Sequence, residues 1–211
     1  MLHKMRDFEQ RLLDPLVTKL KSYNPNTLTF LSLITGFLGG IFLLFPDYFL
    51  LIASFFIILS SVLDLLDGNL ARKYDKHTKR GDFLDWVVDR YVDFFLIMGI
   101  TYSGYVTYRE VGLLAIIGIF LVSFIGSRVE FGGVKPIAGG ILSRADRMVP
   151  LIIFPIIQYF LLQTMETPKF FGLWLFDFLL IYFAISSHLT ALYRAILGWG
   201  LLRKMDMQNK N

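Results

Sequence analysis

Four aspartates are spaced so that they can work together. Asp64 and Asp67 lie three residues apart and Asp85 and Asp89 four apart, spacings that put each pair on one face of a helix. If those two helices pack, four carboxylates meet in one pocket, and their mutual repulsion then calls for cations. Hard oxygen ligands suit Mg²⁺ or Mn²⁺, and two ions are the natural expectation. Gly68, directly after Asp67, admits a ligand to close approach. Arg72, one turn on, offers a planar fork of donors suited to a phosphate oxygen. The expected chemistry is metal-assisted and acts on a phosphate. Lys73, Lys76, Lys79 and Arg80 read instead as solvated charges facing lipid headgroups.

The elements that must position these residues are membrane helices. The chain has 211 residues, 55% of them hydrophobic and 18% charged, with a mean hydropathy of +0.57. Soluble chains carry about 25% charged residues, so this composition predicts an all-α integral membrane protein. The absence of Cys excludes disulfides, thiolate metal sites and cysteine nucleophiles. The basic residues flank apolar segments, which predicts membrane topology and no nucleic-acid partner.

A spanning helix needs roughly 20 mostly apolar residues. Six transmembrane segments are expected: Thr27–Pro46, Phe49–Leu66, Gly81–Gly104, Val111–Ser127, Met148–Thr164 and Phe170–Ser187, the last able to run on to Leu197. The third is unusual, because its first half carries Asp82, Asp85, Asp89, Arg90 and Asp93. Of the 21 Lys and Arg residues, 18 fall at the two termini and in alternate connections, which predicts both termini on the cytoplasmic side. No cleavable signal is expected. Residues 1–24 carry Met5, Phe8, Leu12, Leu13, Leu16, Val17 and Leu20 at helical spacing and predict an N-terminal amphipathic helix lying in the interface. Asp14-Pro15 is expected to break it in two, with Asp14 capping the second part. Residues 25–211 then form one six-helix transmembrane domain.

The run Asp64-x2-Asp67-Gly68-x2-Ala71-Arg72-x8-Gly81-x3-Asp85-x3-Asp89 resembles the signature of the CDP-alcohol phosphotransferase family at every fixed position. The resemblance implies a reaction in which the hydroxyl of a small alcohol displaces CMP from a CDP-lipid. It also implies that Asp64, Asp67, Asp85 and Asp89 hold the metal, that Asp89 is in addition the general base, and that Gly68, Ala71, Arg72 and Gly81 shape the CDP pocket. A homodimer is the family's habit. The run Pro25-Asn26-Thr27-Leu28-Thr29 resembles the family's start of the first span, where Asn26 and Thr29 either hold the nucleotide or cap the helix.

A second basic cluster bears on the acceptor. Arg128, Lys135, Arg144 and Arg147 surround a Gly-rich loop, and Arg194 lies in the cytoplasmic half of the last span, so arginines can converge on a phosphate carried by the alcohol. Arg128-Val-Glu130 with Gly139-Gly140-x3-Arg144-x2-Arg147 resembles the acceptor region of prokaryotic phosphatidylinositol phosphate and archaetidylinositol phosphate synthases. This implies inositol 1-phosphate as the acceptor, with Lys135, Arg147 and Arg194 on its phosphate and Arg144 and Arg128 nearby. Glycerol 3-phosphate is the rival acceptor, and CDP-diacylglycerol and CDP-archaeol are both open as donor. Asp93 is expected to neutralise Arg90, and Asp177 to be solvated or paired. A divalent-cation channel or transporter is the competing class; acids gathered at one membrane face, beside Gly68 and Arg72, argue against it. The expected setting is the plasma membrane of a prokaryote, with the site facing the cytoplasm.

Overall fold

The computed structural model describes residues 13–135 and 144–208. After a helical segment at 13–19 come six long helices: α1 (Pro25–Phe42), α2 (Phe49–Lys73), α3 (Lys79–Tyr102), α4 (Arg109–Phe131), α5 (Arg144–Thr164) and α6 (Leu175–Gln208). Five are long and apolar enough to cross a membrane; α3 matches them in length, but the charges of its first half keep it below that threshold. The helices pack α1 on α2 and α3, α2 on α5, and α4 on α6. Large apolar side chains such as Phe30, Phe55, Phe124 and Ile196 point outward, while Gly36, Gly39 and Gly40 of α1 are buried. That arrangement suits a bundle in lipid, where small residues at crossings let backbones approach.

Local signals set the helix starts. Asn24 caps α1, its side chain accepting from the Asn26 N–H at 3.0 Å, and Pro25 follows inside the first turn. The capping alternative for Asn26 and Thr29 is thereby corrected, since Asn24 has that place. Thr78 caps α3 by accepting from the Gly81 N–H at 3.0 Å, and Asp82 sits in the first turn, favourable to the helix dipole.

The last helix starts later than expected, at Leu175, because Phe170 and Leu173 exchange backbone hydrogen bonds across a tight turn with positive φ at Phe171 and Gly172. It also runs to Gln208, past Leu197. Asp177, in its first turn, is buried and accepts from the backbone N–H groups of Thr107, Tyr108 and Trp174 and from the Thr107 hydroxyl. Of the two expectations for this residue, pairing holds and solvation does not.

Residues 1–12, with Met5, Phe8 and Leu12, lie outside the described residues. Asp14 and Pro15 lie within the helix described over 13–19, so Asp14 is not its cap: its carboxylate is held by Lys73, 2.6 Å away, and the stretch before the expected break lies outside the described residues. Leu13 and Val17 are buried against Leu28, Leu66 and Leu70, and Lys76 donates to the carbonyls of Lys21 and Tyr23. The segment is thus docked on the end of α2, where the signature residues begin.

Candidate active site

The turn 74–78 reverses the chain between α2 and α3, with Asp75 at φ 52° and the Lys76 N–H bonded to the Ala71 carbonyl at 2.9 Å. This brings the end of α2 beside the start of α3. Asp64, Asp67 and Asp85 each present a carboxylate oxygen, and the three oxygens lie within 4.8 Å of one another. One oxygen of Asp85 is buried without a hydrogen-bond partner. A buried carboxylate oxygen lacking a donor is costly, and a cation resolves the cost. The donor set is all carboxylate, so these residues fit a hard divalent ion such as Mg²⁺ or Mn²⁺.

Asp89 stands one turn deeper and outside that group of three. Its Oδ1 is 2.5 Å from Arg144 Nη1, and its Oδ2 is 3.7 Å from Arg90 Nη1. The same Arg144 nitrogen donates to Asp64 Oδ1 at 2.6 Å. Arg144, expected around an acceptor phosphate, is thus found bridging two of the carboxylates.

A cleft of about 160 Å³ opens beside the carboxylates, lined by Asp67 and Asp85 and by Asn26, Thr29, Gly68, Ala71, Arg72 and Gly81. All six residues expected at the nucleotide therefore share one cleft with two of the aspartates. A Cβ at Gly68 would meet only the Arg72 guanidinium, at 3.6 Å, so no packed neighbour demands glycine there and its open side is the cleft itself. At Gly81 a Cβ would crowd Thr78 Oγ1 and Asn26 Oδ1, at 3.1 and 3.3 Å, so glycine lets the starts of α1 and α3 meet. A cavity of about 670 Å³ adjoins the cleft, sharing Pro25, Asn26, Lys76 and Thr78 and adding the basic Lys79 and Arg80. Lys76, Lys79 and Arg80, read from sequence as headgroup-facing, thus line a cavity beside the site.

Two polar residues that sequence reasoning missed complete the cleft's support. Asn69 donates to the Leu65 carbonyl at 2.7 Å and accepts from Arg72 Nη2 at 3.3 Å. Ser60 donates to the Ser32 carbonyl at 2.7 Å and so ties α2 to α1. The available signal was a polar side chain at an unspecified position of an otherwise apolar helix.

The remaining basic residues are dispersed. Arg147 donates to Asp93 Oδ2 at 2.6 Å, both side chains buried, so Asp93, expected to neutralise Arg90, gives its hydrogen bond to Arg147 while its charge still favours Arg90. Arg90 instead faces Asp89 and stacks over Trp86 at 5.1 Å. Arg194 Nη1 donates to the Val122 carbonyl at 3.1 Å, and its guanidinium is close enough to that of Arg147 for the two to repel. Arg128 is exposed over the Phe131 ring at 5.0 Å, and Lys135 is exposed at the end of the first described stretch. Gly139 and Gly140 lie outside the described residues.

Residues 22–199 match the CDP-alcohol phosphatidyltransferase family. An archaetidylinositol phosphate synthase of Methanothermobacter thermautotrophicus is 32% identical over 143 residues, 68% of this chain and 67% of that protein. Another from Pyrococcus horikoshii is 39% identical over 93 residues, 44% of this chain and 49% of that protein. The crystal structure of Mycobacterium tuberculosis phosphatidylinositol phosphate synthase with manganese and citrate superposes with a TM-score of 0.71 at 21% identity, covering 88% of each chain. At that identity the likeness is one of fold.

Proposed function

The chain belongs to the CDP-alcohol phosphatidyltransferase family, and from that premise we propose that it transfers the phospholipid moiety of CDP-diacylglycerol or CDP-archaeol to inositol 1-phosphate and releases CMP. The observation that carries this reading is the cleft itself, in which Arg72, Gly68 and Gly81 face Asp67 and Asp85. Charge for a diphosphate and carboxylates for its counter-ions stand side by side. The names of the archaeal relatives favour an inositol phosphate acceptor.

Asp64, Asp67, Asp85 and Asp89 would hold two Mg²⁺ or Mn²⁺ ions, which supply charge neutralisation for the diphosphate and the CMP leaving group. Arg72 binds a phosphate oxygen through its fork, and Asn26, Thr29, Gly68, Ala71 and Gly81 enclose the nucleotide. Arg147, through the edge of its guanidinium not given to Asp93, holds the acceptor's phosphate with Arg194 and Lys135, and Arg144 and Arg128 add positive field around it. The acceptor hydroxyl oxygen attacks the phosphorus that carries the lipid, and Asp89 takes the hydroxyl proton. A new P–O bond forms to the alcohol as the P–O bond to CMP breaks, and CMP leaves with the bridging oxygen.

The protein acts as a six-span homodimer in a prokaryotic plasma membrane, with both termini and the site facing the cytoplasm. A cation path is the poorer reading, because Arg144 and Arg147 lie against Asp89 and Asp93 and would confront a permeating cation with two guanidiniums. The test is CMP release by purified protein in detergent with Mg²⁺ or Mn²⁺ and each CDP-lipid. Inositol 1-phosphate, glycerol 3-phosphate, inositol and serine are compared. Release with inositol 1-phosphate alone, abolished by EDTA, is expected. Release only with glycerol 3-phosphate would move the acceptor assignment, and release only with an unphosphorylated alcohol would remove the role given to the arginines. No release with any acceptor, together with cation flux in liposomes, would overturn the enzyme reading.

A further inference from the structure

Thr29 lines the cleft, yet its hydroxyl is turned to a carboxylate. The residue is 3% exposed, and its Oγ1 lies 2.6 Å from Asp67 Oδ2 and 3.2 Å from the Pro25 carbonyl. A hydroxyl has one proton to give, and the shorter contact to an anionic acceptor takes it. The hydroxyl is not engaged in capping α1, since Asn24 does that. Its backbone is fixed as well: Ser32 Oγ donates to the Thr29 carbonyl, and Ser60 Oγ of α2 donates to the Ser32 carbonyl, each at 2.7 Å. A short network of buried hydroxyls thus ties α1 to α2 beside Asp67.

We infer that Thr29 is a positioning residue for Asp67, holding one carboxylate oxygen so that the group keeps a fixed orientation toward Asp64 and Asp85. The inference rests on the reading of Asp67 as a metal ligand. Groups that hydrogen-bond a ligating carboxylate fix its rotation and raise the affinity of the site, and losing one lowers metal affinity by about 10- to 100-fold. Thr29 then contributes to the cleft through its methyl and backbone, not through a hydrogen bond to nucleotide.

The experiment uses full-length protein in detergent and measures Mn²⁺ affinity from the electron paramagnetic resonance of free Mn²⁺, for the wild type, Thr29→Val and Thr29→Ser. Thr29→Val keeps the shape and removes the hydroxyl; Thr29→Ser keeps the hydroxyl. The expected result is a loss of about tenfold or more in Mn²⁺ affinity for Thr29→Val and of about threefold at most for Thr29→Ser. CMP affinity at saturating Mn²⁺ should fall by a smaller factor than Mn²⁺ affinity does in Thr29→Val. Equal Mn²⁺ affinity in the wild type and Thr29→Val overturns the inference. So does a loss confined to CMP affinity, which would give the hydroxyl to the nucleotide. A wild type that binds no Mn²⁺ sinks the metal reading itself, a separate outcome. If Thr29→Val is not monodisperse, Thr29→Ala removes the same hydroxyl with less bulk and is held to the same criteria.

Discussion

Arg147 and Asp93 meet at 2.6 Å with side chains only 4% and 2% exposed, an ion pair sealed between α5 and α3. One turn toward the helix starts, Arg144 meets Asp89, so the Asp85, Asp89, Asp93 row of α3 faces a short arginine row on α5. Removing one partner of a buried pair leaves an uncompensated charge, which costs about 3–5 kcal/mol, whereas removing both does not. Asp93→Asn and Arg147→Met should each lower the apparent unfolding midpoint in detergent by about 10 °C, and the double variant should recover most of it. A double variant that sums the two losses would show that each charge has another partner.

The aspartate spacing, the six long helices and the membrane setting were legible because each is local, written in periods of three to four residues or in runs of apolar side chains. The partners were not, because they depend on which helices adjoin. Arg90 is three residues from Asp93 and reads as its natural partner, yet Arg147, 54 positions away, takes the carboxylate. Asp14 next to Pro15 reads as a cap, and only the docking of 13–19 on α2 shows it as the counter-ion of Lys73. Asp177 reads as solvated or paired, and only the fold decides for pairing, with Thr107 and Tyr108 some seventy residues upstream. At the start of α6, apolar Phe170 and Phe171 resemble helix, and Gly172 alone marks the turn.

Two guanidiniums lie against Asp89, Arg144 at 2.5 Å and Arg90 at 3.7 Å. Asp89→Asn keeps the shape and removes the proton acceptor. A general base contributes about 10²- to 10⁴-fold, so kcat for CMP release should fall by that factor. At saturating metal the KM for CDP-lipid should change by a smaller factor than kcat. A fall of less than tenfold, measured at saturating metal and acceptor, would remove Asp89 from the role of base.

At the crossing of α1 and α3, a Cβ on Gly99 would collide with the Gly40 carbonyl oxygen, and one on Gly40 would lie 2.6 Å from the Phe95 carbonyl oxygen. Backbone atoms cannot swing aside, so the helices must separate at this crossing. Gly99→Ala should destabilise by about 1–3 kcal/mol. Gly200→Ala, where nothing lies within 4 Å of the added carbon, should be neutral or stabilise by up to about 1 kcal/mol. Thermal unfolding of the two variants side by side checks the pair, and equal midpoints would show that the crossing is looser than its geometry.

Arg72 faces the cleft on one side, while Nη2 is held by Asn69 Oδ1 at 3.3 Å and Asn69 is in turn anchored on the Leu65 carbonyl. The guanidinium is therefore oriented before any ligand arrives, so two kinds of substitution should separate. Arg72→Lys keeps the charge but loses the planar fork; at about 1.5–3 kcal/mol for a charge-assisted hydrogen bond, the KM for CDP-lipid should rise about 10- to 100-fold. Asn69→Ala keeps the fork but frees its orientation; loss of a neutral hydrogen bond worth about 1 kcal/mol predicts a rise of about fivefold. Neither substitution should change the KM of the phosphorylated acceptor, which is held elsewhere. Steady-state kinetics with CDP-lipid and acceptor varied in turn resolve the two constants. An acceptor KM that rose in parallel would mean that Arg72 serves the overall charge of the cleft, not the phosphate it faces.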